Sequence, residues 1–460
     1  FTSPNVFGKR TWDVWVHSYM MLGLLEVNRY WPNEKYLNAC RKAGDLLVST
    51  FSKGDKSLAM LGNHQGLSST IVLESMVKLY FATGDSRYLD FAKHIIQQME
   101  AREGLQVVSR SLKGYDLSQI GTGKIYQLCW NFVGLVRLFE ATGMRDYHKA
   151  AENAWQNICD FHLTPAGGPW GGIAGHKEVF NDKEFFSPYA MTETCSIMSW
   201  IHLNRELLRF SGDARYADEI EKTIYNAILG AQDPNGEDWC YFTFPNGRRN
   251  NTYYWACCKS SGAIALEEIG PLIFGKMQNG VAVNLYSESA ATTTLPSAGA
   301  TKITQKTNYP KDGEIKLIIE PAKAAAFPLF LRVPQWAEEA AIHINGKTFN
   351  EPITPGAYVK LMREWKRGDE VVLNLPMKLR VHPKTYSVDH HGQEVVRMDY
   401  FAVTRGPLVY AAGLIDGFKR EDTFKLPKLN PETQFTPAPV PPGFNGPAFH
   451  MMIPGRQPIL

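Results

Sequence analysis

The sequence predicts a multidomain α+β protein in which a ring of helical hairpins is followed by an antiparallel β-sandwich. Apolar residues recur at helical spacing through the first 275 or so residues, and a glycine-containing junction recurs between the stretches. From about residue 280, short β-rich runs alternate with Asn-Gly and Asp-Gly turns. A chain of 460 residues exceeds what one hydrophobic core usually serves, so more than one domain is expected.

Four apolar stripes indicate the helices of the first part. Their members lie three and four residues apart, so each set covers one face of a helix. The stripes are Leu73, Met76, Val77, Tyr80; Tyr88, Phe91, Ala92, Ile95; Phe132, Leu135, Val136, Phe139; and Ala217, Ile220, Ile224, Ala227.

A weak internal repeat connects these helices. Residues 82–88, 141–147 and 211–216 share a glycine followed by a short polar stretch and a tyrosine, and 31–36 is a looser copy. The glycine can end one helix in a left-handed cap, and the polar stretch can begin the next. Long loops between repeated hairpins favour a closed toroid over a solenoid, and a toroid gathers its loops around a concave site.

The second part is predicted from β-rich runs at 282–286, 315–319, 329–333, 342–344 and 371–375. Nine prolines occur among the last 40 residues, so that stretch cannot donate a full ladder of hydrogen bonds. The predicted limits are therefore 1–275 for a helical catalytic domain, 276–420 for the β-sandwich, and 421–460 for an extended tail that wraps the surface.

Composition excludes several classes of partner. The net charge is +3 with both signs mixed along the chain, and neither a basic run nor an apolar stretch of membrane-spanning length occurs. We therefore expect no nucleic-acid or membrane partner. Seven cysteines in 460 residues are too few for a disulfide scaffold. Because seven is an odd number, at least one thiol must be unpaired or bound to metal. The oligomeric state stays open, as does the compartment, with a periplasmic or secreted location favoured over the cytoplasm.

Four side chains form the candidate metal site: Glu193, Cys195, Cys257 and Cys258. Three thiolates and one carboxylate suit the tetrahedral coordination of Zn²⁺. Glu-x-Cys does not share a helix face, so we expect this pair on a loop or at a helix start. Adjacent cysteines can reach one ion only if the backbone between them is irregular. Two alternatives remain, namely buried thiols that act as small apolar side chains and a disulfide between Cys257 and Cys258.

The remaining cysteines are predicted to be structural. Cys40, Cys129 and Cys159 fall within helical stretches, and Cys240 follows Trp239 in a loop.

The stretch from Gly171 to Leu285 resembles glycoside hydrolase family 127, the β-L-arabinofuranosidase family. The matching segments are 171–173 with Glu178 shortly after, 193–195, 212–216, 221–226, 256–258 and 283–286, and a later segment at 405–410 also matches. The resemblance implies an (α/α)6 barrel with β-sandwich material and a retaining exo-glycosidase. It also implies that Glu193, Cys195, Cys257 and Cys258 hold zinc, with Cys257 as nucleophile and Glu178 as general acid/base. His64 and His176 would contact the sugar.

Such chemistry explains why a thiolate can replace the usual nucleophilic carboxylate. Zinc coordination removes the thiol proton, which a free cysteine largely keeps at neutral pH. Glu178 must first donate a proton to the leaving oxygen and then act as base toward water. We therefore expect its pKa to be raised by burial or by the net charge of a zinc site with three thiolates and a carboxylate.

Three departures from the family pattern concern the substrate pocket. Gln65 replaces an acidic residue that often follows the His64 position. Trp130 and Asn131 lie near the place where the family has Gly-His. Residues 259–262, which follow the cysteine pair, differ from the Pro and Asn that relatives often carry there. These changes fit a shift of sugar specificity. Arg248 and Arg249 could receive a carboxylated sugar, although a solvated surface pair is the preferred interpretation.

The predicted function is therefore a β-L-arabinofuranosidase that acts on oligosaccharides of plant cell-wall glycans. Hydrolysis of another deoxy or carboxylated pentose is the alternative within the same class. A sugar-binding protein with structural zinc is a second alternative, but Glu178 argues against it because binding needs no proton donor. A polysaccharide lyase on a similar toroid would have no use for a thiolate–zinc cluster.

Overall fold

The structure is a computed structural model that describes residues 12–53, 56–171, 178–181, 183, 191–245, 256–411, 434–441 and 446–452. The chain divides into two compact units, Phe1–Thr164 with Gly168–Leu207 and Pro165–Gly167 with Leu208–Leu460. The domain limits derived from the sequence stay a prediction.

Helices dominate the described residues up to Ile273. They are α1 (Asp13–Tyr30), α2 (Glu34–Phe51), α3 (Leu67–Thr70), α4 (Val72–Thr83), α5 (Ser86–Ala101), α6 (Val107–Leu112), α7 (Ile125–Thr142), α8 (Arg145–Phe161), α9 (Thr194–Ser211), α10 (Ala214–Lys222), α11 (Leu229–Ala231), α12 (Ala256–Glu267) and α13 (Ile269–Ile273). A π-helical stretch at Thr223–Ile228 joins α10 to α11, and 3-10 turns lie at Leu58–Met60, His64–Gly66 and Leu117–Gln119. None of the described helices combines the length and apolar character that crossing a bilayer requires.

The predicted helix junctions are confirmed. Gly84, Gly143 and Gly212 all have positive φ angles at the ends of helices, as left-handed caps require. Asp85 and Asp213 begin the next helices by accepting hydrogen bonds from backbone N–H groups two residues on. The four apolar stripes are buried except for Tyr80 and Phe139, which are partly buried.

Strands dominate the described residues after Phe274. Two short strands, β1 (Thr192–Glu193) and β2 (Phe242–Thr243), precede β3 (Phe274–Met277), β4 (Gly280–Val283), β5 (Ser289–Leu295), β6 (Gly299–Thr307), β7 (Glu314–Pro321), β8 (Ala325–Val333), β9 (Ala341–Ile344), β10 (Lys347–Thr348), β11 (Ala357–Trp365), β12 (Asp369–Asn374), β13 (Leu379–His390), β14 (Gln393–Arg405), β15 (Leu408–Tyr410), β16 (Gln434–Ala438) and β17 (Ala448–Met452).

Two sheets enclose one core in the second unit. One has the order β10-β9-β12-β7-β6-β5 and the other β11-β8-β4-β3. Alternate residues of β7 and β12 point into the core, which includes Phe327 and Trp365. This alternation is what a sheet with one buried face requires. β13, β14 and β15 form a further antiparallel sheet.

Two details differ from the expected pattern. β4 pairs with β8 in parallel, so the predicted wholly antiparallel arrangement is wrong at this pair. A parallel pair needs a crossover connection, and here the chain passes through β5, β6 and β7 of the other sheet before it returns. In the predicted extended tail, β16 and β17 pair as an antiparallel hairpin, with Pro437 opposite Phe449.

Candidate functional site

Backbone pairing fixes the segment that carries Glu178. The N–H of Ile125 donates to the carbonyl of Glu178 at 3.2 Å, and the N–H of Phe180 donates to the carbonyl of Gly123 at 2.8 Å. Gly171 in turn bridges to both Phe180 and Met191. Four short stretches, at 123–125, 178–180, 171 and 191, therefore lie side by side, and they bring Glu178 and the stretch before Glu193 to the start of α7.

A buried lysine connects the two carboxylates. Lys124 immediately precedes α7, and its ammonium donates to Oε2 of Glu178 and, at 3.1 Å, to Oε2 of Glu193. Burial alone would lower the pKa of Lys124, but the charges of Glu193 and Glu178 outweigh it and raise the pKa above its usual value. The lysine therefore stays cationic between two acidic side chains.

Glu193 and Cys195 lie at a helix start, as predicted. Glu193 is the last residue of β1, and Cys195 lies in the first turn of α9. The hydroxyl of Ser196 also donates to Oε2 of Glu193, at 2.6 Å. Burial and the neighbouring Glu178 raise the pKa of Glu193, while Lys124 and Ser196 oppose that shift. Among the described residues, hydrogen bonds reach only Oε2 of Glu193, which leaves Oε1 as the oxygen that could face a metal.

The sulfur atoms of Cys195, Cys257 and Cys258 form a group in which all three lie within 4.8 Å of one another. Zn–S bonds of about 2.3 Å in a tetrahedral site place sulfurs about 3.8 Å apart, which is compatible with sulfurs that all lie within 4.8 Å of one another. The donor set fits zinc, because soft thiolates select such ions. Glu193 lies outside this group and instead contacts Lys124 and Ser196.

The local structure corrects one expectation about the adjacent cysteines. Cys257 and Cys258 lie in the first turn of α12, so the backbone between them is helical and not irregular. Their sulfur atoms nonetheless lie within 4.8 Å of each other. All seven cysteines lie in the described part of the chain and none is in a disulfide, so the Cys257–Cys258 bridge is not formed. Cys195 and Cys258 are buried, whereas Cys257 is only partly buried.

The other four cysteines are not members of this group. Burial raises the pKa of Cys40 to about 11 and that of Cys129 to about 12, so both thiols stay protonated at neutral pH. Cys159 lies in α8, and Cys240 is buried beside the short strand β2.

His64 occupies a strained turn near the same segment. Its φ angle is 56° and that of Gln65 is 58°, both in the left-handed region that non-glycine residues rarely adopt. Nδ1 of His64 lies 3.3 Å from the hydroxyl oxygen of Thr122, two residues before Lys124. His176, Arg248 and Arg249 lie outside the described residues.

An aromatic cluster borders this part of the first unit. Trp15 meets Tyr19 and Tyr126 edge to face, and Tyr19 meets Trp130 in the same way, with ring centroids 5.5–5.9 Å apart. The ring of Trp12 lies 6.4 Å from that of His64. The abundance of Trp and Tyr in the sequence is consistent with such a cluster, but no spacing pattern assigned these residues to it. Lys124 was likewise missed, because its partners are 54 and 69 residues away in the sequence.

Comparison with known proteins identifies the family. A model of the β-L-arabinofuranosidase GH127 catalytic domain matches residues 2–270, and one of the GH127 middle domain matches residues 280–377. The chain is similar to a non-reducing end β-L-arabinofuranosidase from Bifidobacterium longum subsp. longum, with 22% identity over 447 residues. That match covers 88% of this chain and 65% of the relative, so the chain spans less than two thirds of that protein.

Solved structures share the fold. A GH127 β-L-arabinofuranosidase from Geobacillus stearothermophilus T6 superposes with a TM-score of 0.70 at 22% identity, covering 86% of this chain and 66% of that one. A structure described as a glycoside hydrolase gives a TM-score of 0.74 at 20% identity, covering 95% and 75%. Because the catalytic-domain model alone matches more than half of its residues, the chain belongs to glycoside hydrolase family 127, the β-L-arabinofuranosidase family.

Proposed function

We propose that this protein is a retaining exo-glycoside hydrolase that releases terminal β-L-arabinofuranose from plant cell-wall oligosaccharides. The observation that carries the proposal is the group of three sulfurs from Cys195, Cys257 and Cys258 in a chain of this family. The named activities of the relatives, all at modest identity, support the choice of sugar.

The proposed zinc ligands are Cys195, Cys257, Cys258 and Glu193. Three sulfurs within 4.8 Å of one another support the three cysteines of this set, and Oε1 is the oxygen through which Glu193 would join them. Bound zinc would keep the thiols deprotonated at neutral pH. We further propose that the helices of residues 1–275 form an (α/α)6 barrel and that a β-sandwich follows, which the family and the element order support.

Cys257 is the proposed nucleophile. It is the least buried of the three grouped cysteines, so a substrate can reach its sulfur more readily than those of Cys195 and Cys258. Its thiolate attacks the anomeric carbon as the bond to the leaving oxygen breaks, which gives a thioglycoside on the enzyme. Glu178 donates a proton to the leaving oxygen. Glu178 then takes a proton from water, which attacks the same carbon and releases the sugar with retained configuration.

The test is hydrolysis of an aryl β-L-arabinofuranoside together with the metal content of the purified protein. We expect turnover, about one zinc per chain, and loss of activity when a chelator removes the metal. Cys257→Ser should abolish turnover. Zinc with no hydrolysis of any furanoside by the wild type would contradict the proposal and favour a sugar-binding protein.

The effect of replacing the proposed acid/base, Glu178, on the rate of hydrolysis should depend on the leaving group. We expect Glu178→Gln to slow hydrolysis of substrates with poor leaving groups by about 100-fold or more, because general acid catalysis typically contributes that much. Substrates whose leaving group needs no proton should lose much less. Equal losses on the two substrate classes would remove Glu178 from this role.

A further inference from the structure

Lys124 is the only buried lysine in the part of the chain that the structure describes, and its side chain is 5% exposed. Lysine is almost never buried unless it is paired, because an isolated ammonium loses its hydration there. Its partners are Glu178 and Glu193, the two acidic side chains of the proposed site. A lysine needed only for stability could pair with any acid, so this choice of partners calls for an explanation.

The backbone places Lys124 directly beside Glu178. Lys124 and Val179 form an antiparallel bridge, and the carbonyl of Glu178 accepts from the N–H of Ile125 at 3.2 Å. Main chain and side chain thus tie Glu178 to the same short segment. The main chain of Glu178 is attached to the start of α7 by backbone pairing, and its carboxyl group by Lys124.

The ammonium also separates two groups that would otherwise repel. Oε2 of Glu193 accepts hydrogen bonds from both Lys124 and Ser196, at 3.1 and 2.6 Å. Without the lysine, Glu193 would keep Ser196, but the positive charge that lies between the two carboxylates would be lost. Once Glu178 has given up its proton, like charges in a buried site repel strongly, so the more exposed Glu178, at 16%, would turn away from Glu193.

We propose that Lys124 is a positioning residue that fixes the carboxyl group of Glu178 relative to Glu193, and so within reach of the glycosidic oxygen. This inference rests on the proposed function of Glu178. It adds that the acid/base and the proposed metal ligand are set by one shared cation. A displacement of about 1 Å in a catalytic group can cost about 100-fold in rate, so such a clamp would matter for turnover.

The experiment compares Lys124→Met with Lys78→Met. Lys78 is partly buried and pairs with a different buried carboxylate, that of Glu74, at 2.7 Å in α4, so the control removes a lysine that forms an ion pair with another carboxylate. For Lys124→Met we expect kcat on a poor leaving group to fall about 100-fold, as in the loss of general acid catalysis, and kcat on a good leaving group to fall much less. Lys78→Met should stay within about threefold on both substrates, since Lys78 contacts neither proposed acidic site residue and its loss should lower stability and not the rate of the folded enzyme.

Chemical rescue separates positioning from folding. In Lys124→Ala, ethylammonium in the buffer should restore part of the rate on the poor leaving group, and Lys124→Arg should retain more activity than Lys124→Met. A merely structural lysine would show neither effect. Equal losses on both leaving groups without rescue would overturn the proposal.

A crystal structure of Lys124→Met makes the test independent of turnover. We expect the carboxyl carbon of Glu178 to move by more than about 1 Å while the zinc content stays that of the wild type. An unmoved Glu178 would overturn the positioning role. If the wild type hydrolyses no furanoside, the proposed function fails, but this structural comparison still decides whether Lys124 holds Glu178.

Discussion

At the scale of single residues, a buried pair joins the two chain segments that lead to the site. Nε2 of His162 lies 2.8 Å from Oδ1 of Asp116, and both side chains are buried. Asp116 begins the 3-10 turn Leu117–Gln119, which leads to Lys124, while the carbonyl of His162 accepts from the N–H of Trp170, just before Gly171. Burial alone would raise the pKa of Asp116, but its bonds to His162, Ser118 and Asn157 outweigh this and lower the pKa to about 2.

The lowered pKa of Asp116 predicts that the effect of Asp116→Asn on the free energy of unfolding depends on pH. A carboxyl whose pKa falls from 3.8 to about 2 on folding stabilises the protein above pH 4, by about 2 kcal/mol. That contribution is lost as the pH falls toward 2. We expect the variant to be less stable by about this amount at pH 7, with the difference narrowing below pH 4, in urea unfolding at several pH values. A difference that is constant or widens on acidification would contradict the assignment.

At the scale of elements, the residues of the proposed site lie at the starts of helices and in one short stretch of β-bridge pairing. Cys195 lies in the first turn of α9, and Cys257 and Cys258 in that of α12. The positive end of a helix favours anionic sulfur, so both helices suit thiolates where they present them. Gly171 lies between the segments of Glu178 and Glu193, so close that a Cβ there would be 2.0 Å from the carbonyl oxygen of Val179.

Gly171→Ala should therefore disturb both the fold and the site. The added methyl must push the Val179 segment away, and overpacking of this kind typically costs about 1–3 kcal/mol. We expect a lower thermal midpoint and a loss of hydrolysis, since Glu178 precedes Val179. The matched control is Gly23→Ala in α1, where a Cβ meets nothing within 4 Å and alanine should stabilise the helix. Equal behaviour of the two variants would show that the Gly171 contact is not close in solution.

The sequence predicts those features of the fold and the site that depend on residues close together in the chain. Glycine caps, apolar stripes and the Glu-x-Cys pair at a helix start depend on neighbouring residues, and Gly84, Gly143 and Cys195 lie where expected. The parallel pairing of β4 with β8 and the bond from Lys124 to Glu193 join residues far apart in the chain. No local pattern encodes such contacts, which explains why both were missed.

At the scale of the whole molecule, several family-like segments serve the architecture of the second unit. Glu221 and Asp218 of α10 pair with Arg332 of β8, which is fully buried. Tyr225 donates to the carbonyl of Tyr286 at 3.0 Å, and Asn226 bonds the backbone of both Pro407 and Val409. The segments 221–226, 283–286 and 405–410 therefore connect helical residues of the second unit to its strands. Their role is structural, unlike that of the residues proposed for catalysis.

The measurement that tests the central claim most directly is the mass of the whole protein quenched during turnover of an aryl β-L-arabinofuranoside, followed by peptide mapping. We predict a mass increase of one anhydropentose, located on Cys257 and absent from Cys257→Ser. To slow breakdown of the adduct, the same experiment uses Glu178→Gln with a good leaving group. A sugar attached to a carboxylate, or steady turnover by Cys257→Ser, would contradict a thiolate nucleophile.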